Sequence, residues 1–232
     1  MIRMVVFDMA GTTVDEDNVV YKTLHRALQK KGYDIPLELV LKEGAGKEKL
    51  QAIKSILKAG GKKTDNKRTE EIYDDFIGML ASAYKDLEVR PQPNAAELFS
   101  ILRKRNIRVV LNTGYNAETA DALIDKLGWE RGIEFDDVIT ASDVENSRPD
   151  PEMIELAMDL FGIESAKEVI KVGDSMTDIE EGQNAGCCLN IGITTGSQSY
   201  QQLQSASPDF IINNLLELVP ILDRVNASSI AD

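Results

Sequence analysis

Several residue types that commonly build metal and redox sites are nearly missing from this chain. Its 232 residues include one histidine, one tryptophan and two cysteines. One histidine, His25, is too few for a zinc site built on imidazoles. The cysteines, Cys187 and Cys188, are adjacent within an apolar stretch that predicts a buried strand. We therefore expect them to be small core residues and neither a redox pair nor metal ligands.

Positive charge is scarce as well. Lysine and arginine number 26 against 39 aspartates and glutamates, which gives a formal net charge of -13. An acidic surface repels nucleic acid and anionic lipid, so we expect neither nucleic acid nor a membrane as a partner. An anionic substrate would have to be drawn in by a local positive group. The sequence does not indicate an oligomeric state.

Long apolar runs are also absent. No stretch is long enough to span a bilayer, and the apolar stretch within residues 1–8 is too short for a signal peptide. We therefore expect a cytoplasmic protein. With 43% hydrophobic residues, the chain has enough apolar material for one full core and a small inserted unit.

What the sequence does contain is a series of short apolar runs rich in β-branched residues. Gly, Asp, Asn or Thr bounds each run, as is typical of strands. The runs occupy residues 4–7, 107–111, 137–139, 169–172, 189–191 and 210–212. From Arg90 onward they alternate with helical patterns, which occupy 94–105, 117–127, 151–161 and 215–222. This alternation predicts an α/β fold, a Rossmann-like doubly wound parallel sheet with helices on both faces.

Residues 19–84 break this alternation. They contain no convincing strand, and their apolar residues recur at helical spacing, as in Val20-Leu24-Leu28, Leu50-Ile53-Leu57 and Ile72-Phe76-Leu80. We predict an all-helical cap at 16–85, inserted into a core formed by 1–15 and 86–232. A loop at 59–65 separates two cap helices, with Thr64 or Asp65 as the N-cap of the second.

Two strand ends carry groups suited to phosphate chemistry. Asp8 ends the first predicted strand, where a carboxylate can act as a nucleophile and form an acyl-phosphate. The backbone N–H groups of the Gly-Thr-Thr turn at 11–13 can hold phosphate oxygens. Thr113 and Gly114, at another strand end, suit a phosphate contact. Taken singly, each motif is explained about as well by ordinary turn chemistry.

Two further strand ends supply a cation and a pair of acids. Arg148 directly precedes a loop stiffened by Pro149 and Pro151 and can neutralise a nucleophile or a phosphoryl group. The alternative is that Asp150, before Pro151, is simply a helix N-cap. Asp174 and Asp178 stand four residues apart at a strand-to-helix junction, where carboxylates suit Mg²⁺. The alternative interpretation is that Asp174 and Asp178 only stabilise the N-terminus of the helix.

These four motifs, in this order and each at a strand end, are similar to those of the haloacid dehalogenase superfamily. On that resemblance the chain is identified as a member over essentially its whole length. The resemblance implies that Asp8 is the nucleophile, that Arg148 stabilises it, and that the helical insertion closes over a small phosphorylated or phosphonylated metabolite. It implies Mg²⁺ as the cofactor, with Asp8, the Ala10 carbonyl, Asp174 and Asp178 at the metal. It also implies that the phosphoryl group is bound by Thr12, Thr113, Gly114 and Tyr115.

One expected residue is missing. Phosphatases of this superfamily carry a second aspartate two residues after the nucleophile, which moves protons to the leaving group and from water. The chain has Ala10 there, as does the phosphonatase branch, which resembles this chain also in Thr113-Gly114-Tyr115 and in using arginine at 148. In that branch a cap lysine forms a Schiff base with the substrate aldehyde, and Lys47 stands at the matching place.

Lys47 has a second interpretation. On a helix that buries Leu50, Ile53 and Leu57, it would lie on the solvated side with Lys54 and Lys58. The branch's histidine one turn after the lysine is replaced by Leu50, and its cysteine soon after the first motif has no counterpart. The sequence thus favours a phosphonatase-like hydrolase; the alternatives are an ordinary phosphatase without the usual acid, or a non-catalytic module that binds a phosphorylated ligand.

Overall fold

The computed structural model describes residues 1–63 and 65–228. Its strands are β1 Met4–Asp8, β2 Val14–Asp15, β3 Arg90–Pro91, β4 Arg108–Thr113, β5 Asp137–Thr140, β6 Val169–Gly173, β7 Leu189–Ile193 and β8 Phe210–Ile212. Its helices are α1 Val19–Lys30, α2 Leu37–Gly44, α3 Lys49–Ala59, α4 Asn66–Asp86, α5 Ala95–Lys104, α6 Ala117–Leu127, α7 Glu152–Leu160, α8 Met176–Ala185, α9 Tyr200–Ser205 and α10 Leu218–Ser228. Short 3-10 turns at Ala166–Glu168 and Leu215–Glu217 complete the described structure.

Six strands form one parallel sheet in the order β5-β4-β1-β6-β7-β8. All six predicted strands are confirmed, and the Rossmann-like α/β prediction is confirmed with them. The strand β1 pairs in parallel with β4 on one side and β6 on the other. Its five residues are all buried, as expected for a central parallel strand covered by helices on both faces.

Alternate residues of β1 pack into two different apolar clusters. Val5 and Phe7 join the larger one, in which the Phe7 and Phe99 rings lie 5.4 Å apart. Met4 and Val6 join a smaller cluster together with Cys187. Cys187 is thus a small core residue, as predicted, although the strand that follows begins only at Leu189.

The helices α1 to α4 lie between β2 and β3, in the segment for which the sequence predicts a cap. The two short strands pair antiparallel and bring together the two places where the chain enters and leaves the inserted helices. Each strand has only two residues, too few to give a strand pattern in the sequence. The exact division at 16–85 stays a prediction. Of the two N-cap candidates for α4, the Asp65 side chain accepts a hydrogen bond from the Arg68 amide, whereas Thr64 lies outside the described residues.

The start of α3 differs from the prediction. The helix begins at Lys49 with Glu48 as its N-cap, so Lys47 lies in the preceding turn and not on the helix beside Lys54. The buried residues of α3 are Lys49, Ala52, Ile53, Ile56 and Leu57. Leu50 is only half-buried, and Lys49 is the residue in the first turn of α3 that faces inward.

No helix among the described residues is both long enough and apolar enough to cross a membrane.

Candidate active site

The predicted strand ends meet at one edge of the sheet. Asp8 ends β1, Asp174 directly follows β6, and Asp178 lies in the first turn of α8. One carboxylate oxygen from each lies within 4.8 Å of the others, and all three residues are buried. The turn into α8 is fixed by a reciprocal capping pair, in which the Ser175 side chain accepts from the Asp178 amide and the Asp178 side chain accepts from the Ser175 amide.

Two of these carboxylates lack sufficient positive charge around them. Burial, together with the charge of Asp178, raises the pKa of Asp8 to about 6. Burial, together with the charges of Asp8 and Asp178, raises the pKa of Asp174 to about 7. Charged oxygen atoms that converge in a buried site are stabilised by a hard divalent cation. The residues present therefore fit Mg²⁺.

The surroundings of Asp174 fit this assignment as well. Its Oδ2 accepts hydrogen bonds from the Ser197 hydroxyl at 2.7 Å and from the Ser197 amide, which fixes the carboxylate in place. A Cβ atom on Gly11 would lie 2.7 Å from Asp174 Oδ2, and one on Gly196 would lie even closer. Both glycines let the backbone approach the carboxylate that a larger residue would displace.

Asp178 has a different environment from the other two acids. Its Oδ1 lies 2.9 Å from Arg148 Nη1 and 3.0 Å from Lys171 Nζ, and its Oδ2 accepts from the Ser175 hydroxyl. Burial raises the pKa of Asp178, but the two cations and the Ser175 hydrogen bond more than offset it and hold this pKa below its usual value. Asp178 thus has two cationic partners, whereas Asp8 has only Arg148 and Asp174 has no ion pair among the described residues.

Arg148 is completely buried and lies against Asp8. Its Nη1 donates to Asp8 Oδ1 at 2.7 Å, and its Nη2 donates to the Asn112 carbonyl at 2.7 Å. Burial alone lowers the pKa of Arg148, yet the carboxylates of Asp178, Glu181 and Asp8 raise it above the normal arginine range. The guanidinium is therefore permanently charged, and it fixes one oxygen of Asp8.

Sequence reasoning missed the rest of this buried network. Lys171 in β6 contacts Glu181 Oε2 at 2.9 Å and donates to Asn112 Oδ1 at 2.6 Å, and Asn112 in turn donates to Glu181 Oε1 at 2.8 Å. The signal was available, because Lys171 interrupts an apolar strand and Glu181 lies one helical turn after Asp178. Buried charges in such positions need partners.

The turn after Asp8 is arranged differently from the expectation. The amides of Thr12, Thr13 and Val14 all donate to the Met9 carbonyl, so they are used within the turn and are not free to hold phosphate oxygens. The Thr12 hydroxyl is buried and has no hydrogen-bond partner among the described residues. It remains available for a phosphoryl oxygen.

The second predicted motif closes against the cap. The Thr113 hydroxyl accepts from the Tyr115 amide at 3.2 Å and lies in a buried position. A Cβ atom on Gly114 would lie 2.8 Å from the Lys47 carbonyl oxygen and 2.9 Å from that of Gly46. Gly114 therefore allows the turn before α3 to rest directly on the core.

The cap presents two lysines at this contact, and they differ in environment. The Lys47 side chain is half-buried and forms no hydrogen bond or ion pair within residues 1–63 and 65–228. Lys49 is buried, with its Nζ 2.6 Å from the Lys47 carbonyl oxygen and 4.9 Å from the centre of the Tyr115 ring. Burial lowers the pKa of Lys49 to about 8. Sequence reasoning overlooked Lys49, although it precedes Ala52, Ile53 and Ile56 at the spacing of the buried stripe.

Comparisons with known proteins agree with this geometry. A family model for haloacid dehalogenase-like hydrolases matches residues 2–186. A phosphonoacetaldehyde hydrolase from Parabacteroides distasonis is 30% identical over 97% of this chain and 97% of its own length. One from Hahella chejuensis is 32% identical over 84% of this chain and 68% of its own length.

The comparison with solved structures shows a shared fold. A solved structure described as a hydrolase from Pseudomonas syringae superposes with a TM-score of 0.84 over 96% of this chain and 98% of that one, at 20% identity. A family model covering most of the chain, a relative of matching length and an active-site edge with three convergent aspartates lead to one conclusion: the chain belongs to the haloacid dehalogenase-like hydrolases.

Proposed function

We propose that this chain is a magnesium-dependent hydrolase that breaks a phosphorus bond in a small phosphorylated or phosphonylated metabolite through attack by Asp8. The observation that carries the proposal is the setting of Asp8 at the end of the central strand. One of its oxygens is fixed by Arg148, and Asp174 lies close enough to share an ion with it. The relatives named phosphonoacetaldehyde hydrolase support a phosphorus bond as the target.

In this proposal Asp8, the Ala10 carbonyl and Asp174 would hold Mg²⁺, with Asp178 beside them. A bound magnesium ion would neutralise the charge of the phosphoryl oxygens and of the carboxylates. The unfavourable clustering of carboxylates described above supports this donor set.

The chain's own residues supply the remaining functions. Arg148 fixes Asp8 Oδ1, so that the other carboxylate oxygen can attack phosphorus and form an aspartyl-phosphate. Thr12, Thr113, Gly114 and Tyr115 would surround the phosphoryl group. Closure of the cap against Gly114 would exclude bulk water during the transfer.

The direct test is turnover of a substrate panel with Mg²⁺ by the wild-type protein and by Asp8→Asn. The panel should contain phosphonoacetaldehyde and small phosphate monoesters. Asparagine preserves the size of the side chain but is a poor nucleophile, so we expect turnover to fall at least 1,000-fold, on the order expected when a nucleophile is removed. Equal turnover by both forms would remove Asp8 from the mechanism. Thermal stabilisation by ligands without turnover of any of them would instead favour a binding module.

The Schiff base at Lys47 is a separate proposal with its own test. Borohydride added to the protein with phosphonoacetaldehyde should trap an amine adduct in the turn before α3, and fragment mass spectra distinguish Lys47 from Lys49. Release of phosphate from simple esters without any adduct would favour an ordinary phosphatase.

A further inference from the structure

Hydrolysis of a phosphate ester by the proposed route needs a proton at the leaving oxygen, and residue 10 cannot supply one. A methyl group occupies that position, because the chain has Ala10. Another group must therefore donate the proton when the leaving group departs and accept one when water attacks. The following inference rests on the proposed function and concerns which group does this.

A cluster of buried titratable side chains lies where the cap meets the core. Its members are Glu16, Tyr21, Lys49, Tyr84 and Tyr115, and each is less than a tenth exposed. Glu16 Oε2 accepts from the Tyr84 hydroxyl at 3.1 Å and from the Val20 amide at 3.2 Å. The Tyr21 hydroxyl accepts from the Gly46 amide at 3.2 Å. The hydrogen bond between Gly46 and Tyr21 connects the cluster to the turn that carries Lys47.

Lys49 is the cation of this cluster. Its Nζ lies 4.9 Å from the centre of the Tyr115 ring and 5.9 Å from that of Tyr21. Of its three ammonium protons, the described contacts use one, in the hydrogen bond to the Lys47 carbonyl. The Tyr115 hydroxyl lies beside that of Tyr84, and no well-aligned hydrogen bond joins it to any described group. The cluster thus contains buried hydrogen-bond donors, on Lys49 and Tyr115, that no described contact uses.

A cavity of about 130 Å³ adjoins these unused donors. It lies between the cap helices α3 and α4 and the core loops that follow β4 and β5, and Lys49 and Tyr115 both line it. Phe76 and Leu80 supply apolar wall, so the cavity suits a small leaving group with few charges. Lys49 therefore lines the same cavity as Gly114 and Tyr115 of the predicted phosphate-binding motif, and a leaving group attached to a phosphoryl group held by that motif would occupy this cavity.

Charged and titratable groups face Lys49 from each element around it. They are Glu48 in its own turn, Glu16 after β2, Asp8 on β1, Arg148 before α7, Tyr21 on α1 and Tyr115 after β4. Burial and the charge of Arg148 lower the pKa of Lys49, the carboxylates of Glu48, Asp8 and Glu16 act in the opposite direction, and the resulting pKa is about 8. Burial also raises the pKa of Glu16 to about 8. Proton transfer is most effective when the donor's pKa lies near the working pH.

We propose that Lys49 is the catalytic acid of the first half-reaction and the catalytic base of the second, with its ammonium group held in place by the Lys47 carbonyl and the Tyr21 and Tyr115 rings. In the first half-reaction an Asp8 oxygen bonds to phosphorus while the bond from phosphorus to the leaving oxygen breaks. The electron pair stays on the leaving oxygen, which takes a proton from the Lys49 ammonium group.

The second half-reaction reverses the proton movement. The oxygen of water bonds to phosphorus, the Asp8–phosphorus linkage breaks, and its electron pair returns to the Asp8 carboxylate. The proton lost by water goes to the neutral Lys49 amine and restores the ammonium group. The sum is hydrolysis, with both residues regenerated.

The test compares two esters that differ in their leaving group. Phenyl phosphate needs a proton on its poor leaving group, whereas 4-nitrophenyl phosphate does not. We expect Lys49→Met to slow phenyl phosphate turnover by about 100- to 10,000-fold, the range for general acid catalysis, and 4-nitrophenyl phosphate far less. Lys54→Met, on the exposed side of the same helix, is the matched control and should leave both rates unchanged. Equal losses on both esters after Lys49→Met would overturn the proposal.

A second variant and a pH profile keep the test independent of folding. Lys49→Arg retains a cation over the Tyr115 ring but does not release its proton, so the same ester pattern is expected. For the wild type, the Lys49 ammonium form is lost as pH rises through about 8, so kcat for phenyl phosphate should fall there. That alkaline limb should be absent in both Lys49 variants, and its persistence would count against Lys49.

The outcomes also distinguish this inference from the proposed function. If Asp8 becomes phosphorylated normally and the two esters respond equally to Lys49→Met, only the role of Lys49 is wrong. If the wild-type protein hydrolyses neither ester, the proposal that Lys49 protonates a leaving oxygen is wrong, because the ester reaction itself does not occur. If turnover persists in Asp8→Asn, the proposed function itself fails.

Discussion

Arg148 and Asp8 form an ion pair at the centre of the molecule, with 2.7 Å between Nη1 and Oδ1 and no exposed surface on the arginine side chain. The same guanidinium contacts Asp178 and Glu181. One cation therefore contacts three carboxylates, and in the proposed reaction it would also hold the nucleophile Asp8 in place, which would couple the stability of the core to the geometry of the reaction.

Arg148→Met should destabilise the fold strongly, because it leaves buried carboxylates without their partner. We expect the free energy of unfolding to fall by about 3–5 kcal/mol, measured by urea denaturation. Arg105→Met is the control, since its ion pair with Asp223 is largely exposed and should contribute at most about 1 kcal/mol. Similar losses in the two variants would contradict the buried network.

The stability of the metal-free protein should fall as pH rises from about 5 to about 8. The raised pKa values of Asp8, about 6, and Asp174, about 7, mean that the folded state binds more protons than the unfolded state in this window. Glu16, with its pKa near 8, acts in the same direction. Because stability falls with pH wherever the folded state holds more protons, the total change should be on the order of a few kcal/mol.

Magnesium should reverse this trend, since it stabilises the ionised carboxylates. Thermal denaturation with and without Mg²⁺ checks both statements. We expect the ion to raise Tm clearly at pH 8 and little at pH 5, where protons compete for the same oxygens. A stabilisation independent of pH would exclude Asp8 and Asp174 as the ligands.

Gly114→Ala should impair closure of the cap without unfolding the core. The added methyl group would lie 2.8 Å from the Lys47 carbonyl oxygen, closer than the two atoms can remain. We expect kcat/KM to fall by about 10- to 100-fold, because misplacement of about 1 Å has effects of that size, while Tm changes little.

Gly78→Ala provides the matched control for that variant. Gly78 lies on the exposed side of α4, and a Cβ atom there meets nothing within 4 Å. Alanine should stabilise the helix by about 0.5–1 kcal/mol and leave kcat/KM unchanged. A loss of activity in Gly78→Ala as large as that in Gly114→Ala would show that the effect does not come from the cap contact.

The sheet could be predicted because its signals are local. Each core strand is a short apolar run ended by a polar or glycine residue, as at Phe7-Asp8 and Val172-Gly173-Asp174. The parallel arrangement then brings the strand ends to one edge. Arg148 was predicted for the same reason, since its loop follows a recognisable strand. The hydrogen bonding of the turn at 11–13 was not predicted correctly, because the exact turn geometry determines which backbone amides remain free.

The cap side of the site depends on tertiary packing and could not be predicted in the same way. Lys47 and Lys49 differ by two residues in sequence, yet only Lys49 is buried against Tyr115. The difference depends on the residue at which α3 begins, because only a lysine on the helix can face inward with the buried stripe. Periodicity in the sequence defines the start of a helix poorly. The burial of Glu16 could not be predicted either, because its hydrogen-bond partner Tyr84 comes from the far end of the inserted segment.

The central claim is that Asp8 carries the phosphoryl group, and chemical trapping tests it most directly. The protein should be mixed rapidly with Mg²⁺ and a substrate it turns over, quenched in acid and treated with borohydride, which reduces an aspartyl-phosphate to homoserine. Peptide mass spectra are predicted to show homoserine in place of Asp8, and to show no such change in Asp8→Asn. Homoserine at another residue, or full turnover by Asp8→Asn, would contradict the account.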